Sequence, residues 1–222
     1  EVSWFVQLQK EEPRIAGIIT RFDLDKGAAF AADLERAKKN SLICGGRIVL
    51  QAFPETDRCI DPDFLKAVRL LRDTGYVLDI GMDYRHNHSL LKFLEQVDGQ
   101  IPCVIDHVGY PDILGGDANN WAKEFAKLAA FDNVYCKISS LTAKVEDNWN
   151  EEQIRPFVQY ALEAFGSERV IFGSDWPTIT KTLNADFARN AEMTWRFALD
   201  AGYSNEQLKQ LFYKNAERLY KV

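Results

Sequence analysis

Arg169-Val170-Ile171-Phe172-Gly173-Ser174-Asp175-Trp176-Pro177 sets a short apolar run against a glycine, a serine and then a carboxylate. No polar residue alternates within Val170-Ile171-Phe172, so the run reads as a strand covered on both faces: helices outside, packed side chains inside. Pro102-Cys103-Val104-Ile105 repeats the pattern and ends in Asp106-His107. Two such strands, each delivering ionisable groups at its C-terminal end, point to a parallel sheet whose chemistry gathers on one rim.

Working outward, short apolar runs alternate with amphipathic segments along the whole chain. Strands are expected over residues 15–22, 42–50, 76–82, 102–106, 134–138 and 169–172, six in all. Helices are expected over 28–39, 61–74, 89–97, 119–131, 151–165, 186–201 and 205–220. Asp61-Pro62 is a helix start, with Asp as N-cap and Pro in the first turn. Gly75 is the expected C-cap of that helix, and Gly166 the stop of the 151–165 helix. Ser204 and Gln207 have the spacing of a capping box. Alternation of this kind implies parallel pairing with right-handed crossovers, an α/β fold. No GxGxxG follows any strand, so a dinucleotide site is not indicated. A loop rich in Gly and Pro runs on from residue 106 to Gly116.

With 222 residues, 46% of them hydrophobic, the chain can build a large core without disulfides. A net charge of −6 and the lack of a long basic stripe argue against nucleic acid as a partner. No apolar stretch approaches the roughly 20 residues of a membrane span, and no signal peptide is visible. Cys44, Cys59, Cys103 and Cys136 form no CxxC motif. Read as free thiols, buried where they sit in strands, they suggest a reducing, cytoplasmic setting. The expected partner is a small molecule, and a homo-oligomer is left open.

The residues just past each strand are the candidates for chemistry: Asp23, Arg47, Asp83, His86, Asp106, His107, Lys137, Ser139 and Asp175. Asp175 heads the group, because a carboxylate on a Gly-Ser turn can take a proton from water or bind a metal; the alternative is a turn or cap residue. Trp176-Pro177 is expected to fix that loop and wall the site from solvent. His107 can polarise a carbonyl, bind a metal or shuttle a proton, or be a core histidine bonded to backbone. Arg47 and Lys137 each interrupt a strand. Either binds an anionic substrate group or pairs with a barrel carboxylate. His86-Asn87-His88 has the HxH form of a metal pair but follows the strand rather than lying on it, so substrate contact by His86 is the stronger reading.

These stretches resemble a known family. Ile101 to Pro111 resembles the DH-x-G-x-P segment of the amidohydrolase-2 family, Val134 to Ser139 its V-x-x-K-x-S strand, and Arg169 to Pro177 its R-x-x-F-G-S-D-W-P signature. Asn215-Ala216-Glu217-Arg218-Leu219-Tyr220 resembles its N-A-x-R-x-Y terminus. The GSDWP form is most similar to the lactonase branch, with L-fuconolactonase-like and pyrone-dicarboxylate-lactonase-like members. The resemblance implies a (β/α)8 TIM barrel and hydrolysis of a sugar or carboxylated lactone. It gives Asp175 the role of general base, His107 that of binding or polarising the lactone carbonyl, and Arg47 a place in the substrate site. Lys137, His86 and Trp176 complete the expected substrate contacts. Some members bind one divalent metal, often zinc, and others work without one; His107 and Asp175 are the side chains that would hold it.

Family members begin with two strands and a D-x-H-x-H-type motif that this sequence does not contain. The expectation is therefore one barrel domain over 1–222 that lacks the first two strands and starts inside a helix. Two alternatives accompany the lactonase reading: a zinc-dependent decarboxylase of the same superfamily, and a non-catalytic barrel remnant that binds a ligand or partner.

Overall fold

Each expected apolar run forms a strand, and the six pair side by side in chain order. In the computed structural model, which describes residues 2–97, 99–115, 117–182 and 185–222, the strands are β1 (Ile18–Arg21), β2 (Ile43–Val49), β3 (Val77–Gly81), β4 (Cys103–Ile105), β5 (Val134–Ile138) and β6 (Val170–Phe172). Every pairing is parallel, in the order β1-β2-β3-β4-β5-β6. The α/β class and parallel topology follow from the sequence pattern. Gly116, at the end of the Gly/Pro-rich loop, lies outside the described residues.

Helices α1 (Val2–Glu11), α2 (Phe30–Lys38), α3 (Pro62–Arg69), α4 (Asn87–Val97), α5 (Ala118–Ala129), α6 (Arg155–Phe165) and α7 (Phe187–Asp200) are joined by the strands and by short 3-10 turns. From α2 to α7 each helix presents at least one buried phenylalanine to the sheet: Phe30, Phe64, Phe93, Phe125, Phe157 and Phe197. Burying each such ring contributes roughly 1.5–3 kcal/mol. This packing of the helices against the sheet, more than intrinsic propensity, holds them in place. A second, smaller apolar cluster of Val77, Val104, Ile171 and Leu219 includes one residue from each of β3, β4 and β6. No helix among the described residues is long and apolar enough to cross a membrane.

Local signals act as expected at several ends. Asp61 accepts hydrogen bonds from the backbone of Asp63 and Phe64 at 2.9 and 3.4 Å, and Ser204 forms its capping box with Gln207. The helix after Asp61 is shorter than expected, however. It ends at Arg69, where the chain tightens into i to i−3 bonds (Leu70 to Ala67, Leu71 to Val68). Gly75 does take a positive φ of 76°, but it serves the turn into β3 rather than the helix end. The expected final helix is divided into α8 (Asn205–Lys209), a π-helical segment over Gln210–Lys214, and α9 (Asn215–Tyr220). Asn215 pins it to the sheet by donating to the carbonyls of Ser167 and Val170 at 2.7 and 2.8 Å.

Candidate active site

The C-terminal ends of the strands carry the polar side chains onto one cavity of about 370 Å³, lined by Arg47, Asp79, Asp106, His107, Lys137 and Asp175 among others. Parallel register places Arg47 of β2 beside Asp79 of β3. Lys137 rises from β5, and its ammonium meets Asp79 at 2.6 Å and Asp106 at 2.8 Å. Gly173 follows β6 against this lysine. A Cβ there would lie 3.1 Å from Lys137 Cδ and 3.3 Å from Ser139 Cβ, so a larger residue would need these side chains to give by a few tenths of an ångström.

Past β4 the backbone turns through an unusual conformation. His107, Val108 and Tyr110 have φ of 57°, 54° and 39°, and Gly109 65°. Left-handed backbone costs non-glycine residues on the order of 1–3 kcal/mol each, more readily tolerated where surrounding contacts fix it. The turn returns His107 to the cavity. Asp175 (φ 49°) and Ser140 (φ 58°) are left-handed too.

Arg47 Nε donates to Asp106 at 2.7 Å, and its Nη2 lies 3.1 Å from His107 Nε2. Guanidinium nitrogens only donate, so Nε2 is the acceptor and the ring proton sits on Nδ1, which donates to Ser139 Oγ at 2.8 Å. Burial, reinforced by Arg47 and Lys137 and opposed by Asp106 and Asp175, holds the His107 pKa below the usual imidazole range, so the ring is neutral near pH 7. Its other face packs on Tyr110, ring centroids 4.6 Å apart. Asp175 Oδ1 stands 3.8 Å from His107 Nε2, and Oδ2 accepts a short hydrogen bond from Ser140, which in turn accepts from Tyr110 at 3.0 Å.

Behind this pair is a buried charge network. Burial pushes the Asp106 carboxyl up, but Lys137, His107 and Arg47 outweigh it and bring the pKa down to about 2. Asp79 moves the other way: burial wins over Lys137, and Tyr220 of α9 donates to it at 2.8 Å. The difference has a simple source, since Asp106 faces two cations and Asp79 one. Lys137, though buried, is held well above the usual lysine range by its two carboxylates.

The structure thus brings Arg47, His107, Lys137 and Asp175 together, and Arg47 and Lys137 have the carboxylate pairing that their strand positions allowed. Asp23 instead faces Lys26, and Asp83 caps the turn before α4 and binds Arg85. Two expected substrate contacts are corrected. His86 is buried, with Nδ1 3.0 Å from Asp83 Oδ1, and it does not line this cavity. Trp176 is 71% exposed and is not among the residues that line this cavity. Cys59, Cys103 and Cys136 are buried free thiols, whereas Cys44 is only partly buried. Sequence reasoning missed Asp79, Ser140 and Tyr220. A carboxylate inside Val77-Leu78-Asp79-Ile80 was a readable signal of the same kind as Arg47; nothing local marked the other two as site neighbours.

Comparison with known proteins identifies the family. The amidohydrolase family model (Amidohydro_2) matches residues 3–222. An L-fucono-1,5-lactonase of Burkholderia ambifaria is 29% identical over 163 residues, 73% of this chain and 56% of the relative. One of Burkholderia multivorans is 28% identical over 233 aligned positions, 99% of this chain and 76% of the relative. The crystal structure of an amidohydrolase from Burkholderia multivorans with bound Zn superimposes with a TM-score of 0.90 at 27% identity, covering 100% of this chain and 78% of that one. In the Burkholderia ambifaria match, the chain therefore spans little more than half the relative's length.

Proposed function

The chain belongs to the amidohydrolase family, and from that premise we propose that it acts as one barrel-type domain hydrolysing a sugar or carboxylated lactone. The two lactonase relatives support the reaction class. The observation that carries the reading is the 3.8 Å between Asp175 Oδ1 and His107 Nε2 in one open cavity. Asp175 Oδ1 keeps acceptor capacity for a water, whereas the single lone pair of His107 Nε2 already accepts from Arg47.

Asp175 takes a proton from this water as its oxygen forms a bond to the ring carbonyl carbon. The carbonyl oxygen becomes an oxyanion, and the nearby guanidinium of Arg47 stabilises it. The carbonyl–ring oxygen bond then breaks, and protonated Asp175 returns its proton to the leaving alkoxide, giving the hydroxy acid. His107, with its proton on Nδ1, accepts from Arg47 and holds the guanidinium at the cavity. Polarisation of the carbonyl, the role the family resemblance gave His107, passes to Arg47 in this reading. Lys137 keeps Asp106 and Asp79 in place beneath Arg47.

Zinc in the related crystal structure raises the question of a metal here. Among the described residues no group of three or more His, Cys, Asp and Glu converges as a metal site. His107 and Asp175 are two donors, and Arg47 occupies the lone pair of His107 Nε2 that a metal would need. This donor set does not fit a metal ion, and no step is assigned to one.

Asp175→Asn tests the proposal. Turnover of a panel of sugar and carboxylated lactones should fall by at least about a hundredfold, with the circular dichroism spectrum and melting temperature preserved. Full activity in that variant would remove Asp175 from the reaction.

A further inference from the structure

Ser139 and Ser140 follow β5 in succession, and their two hydroxyls serve different partners. In an extended strand, neighbouring side chains point to opposite faces. Ser140 breaks that alternation with φ 58° and ψ 10°, a left-handed conformation that favours glycine. Ser139 Oγ accepts from His107 Nδ1 at 2.8 Å, while Ser140 Oγ donates a short hydrogen bond to Asp175 Oδ2. Ser139 lines the reacting cavity; Ser140 is fully buried and does not. Ser140 therefore bears on the cavity through the carboxylate alone.

The direction of each bond follows from its atoms. A serine hydroxyl has one proton, and an ionised carboxylate only accepts. The Ser140 proton thus goes to Asp175, and the 3.0 Å contact with Tyr110 runs from the phenol to the serine oxygen. Burial pushes the Tyr110 pKa up to about 12, so the phenol keeps the proton it donates. Tyr110 is itself held by two neighbours: its ring centroid lies 4.6 Å from that of His107, and the Lys144 ammonium stands 4.4 Å from it. Tyr110, Ser140 and Asp175 all have left-handed φ, of 39°, 58° and 49°. Three such residues linked by hydrogen bonds persist where the surrounding contacts over-determine them. Oδ2 of Asp175 is occupied by this chain, and Oδ1, 3.8 Å from His107 Nε2, is the oxygen left for water.

We infer that Tyr110 and Ser140 are positioning residues for Asp175: the phenol orients the serine hydroxyl, and the serine holds Oδ2 so that Oδ1 takes the proton from water. An untethered aspartate turns freely about its last side-chain bond and presents either oxygen. A base held in one orientation spends more of its time aligned with the water it deprotonates. Neither Tyr110 nor Ser140 lines the reacting cavity, so the loss of either should appear in kcat and leave KM nearly unchanged. This role rests on the hydrolytic reading of Asp175, whereas the hydrogen-bonded chain itself does not.

The experiment is a double-mutant cycle on kcat, with a lactone that the wild type turns over. Ser140→Gly removes the hydroxyl and suits the left-handed backbone. It should lower kcat about ten- to a hundredfold, the range of a hydrogen bond to a charged group, with KM changed less than about twofold. Tyr110→Phe should lower kcat about three- to tenfold when Ser140 is present, and less than about twofold when residue 140 is glycine, because its route to Asp175 is gone. A merely structural contribution of the phenol would persist in both backgrounds. Equal losses from Tyr110→Phe in the two backgrounds, or an intact kcat in Ser140→Gly, overturn the inference. Crystal structures of the wild type and Ser140→Gly separate this result from failure of the hydrolase reading. If no lactone is turned over, an Asp175 carboxylate in one orientation in the wild type and in several in Ser140→Gly upholds the positioning while the hydrolytic role falls. A carboxylate that stays in place in Ser140→Gly overturns it.

Discussion

Arg47 Nη2 stands 3.1 Å from His107 Nε2, and because a guanidinium has only protons to give, this one contact decides where the imidazole proton resides. Ser139, 2.8 Å from Nδ1, receives it. An arginine on β2 and a serine past β5 thereby set the chemical state of a side chain held on the loop after β4.

Nitrogen-15 NMR of the histidine side chains should therefore report His107 as the Nδ1–H tautomer at neutral pH. Arg47→Met should abolish that preference and lower kcat/KM by about two to three orders of magnitude, as expected when an oxyanion donor is lost. An Nε2–H signal in the wild type would contradict the assignment.

Lys137 bridges two buried carboxylates, so Lys137→Met should cost about 3–5 kcal/mol in denaturant unfolding by leaving Asp79 and Asp106 without their shared cation. Adding Asp79→Asn removes one uncompensated charge and should recover part of the loss. A double variant no more stable than Lys137→Met alone would show that the charges are not the cause.

The pH dependence has a definite sign. His107 binds its proton less readily folded than unfolded, because burial disfavours the charged ring. As pH falls below the unfolded value of about 6.5, the unfolded chain gains a proton first, and stability declines by at most about 1.4 kcal/mol per pH unit from this group. The decline stops once pH is below the folded value. His107→Gln should flatten this part of the profile. Asp106, held at about 2 when folded, adds a separate loss as pH falls from about 4 toward 2.

Gly173→Ala would press a methyl group to 3.1 Å from Lys137 Cδ. The lysine is tethered at its far end to two carboxylates, so it has little room to yield. Destabilisation of about 1–3 kcal/mol, with a fall in kcat, is expected from chemical denaturation and steady-state assays.

Much of this architecture was legible in the order of residues. Asp106-His107 and Asp175 follow runs with no polar alternation, and such runs have few places to go except a covered parallel strand. Arg47 stood out because a charge within an apolar strand demands a partner. His86 and Trp176 misled for the opposite reason: position after a strand does not say which way a side chain turns, and a capping bond to Asp83 decided it for His86. Tyr220 meets Asp79 across 141 residues of chain, a contact that no local pattern encodes.

The five-residue π-helical stretch before Asn215 has a bearing on how this fold tolerates insertion and deletion. One added residue in a helix turns everything beyond it by about 100°, and here that rotation is absorbed within Gln210–Lys214. Asn215 can then face the carbonyls of β6 while Tyr220 faces Asp79. Removing a single residue from the stretch would let it close into an ordinary α-turn with Asn215 and Tyr220 still facing their partners, whereas a residue lost between Asn215 and Tyr220 would swing the tyrosine off its carboxylate by about 100°.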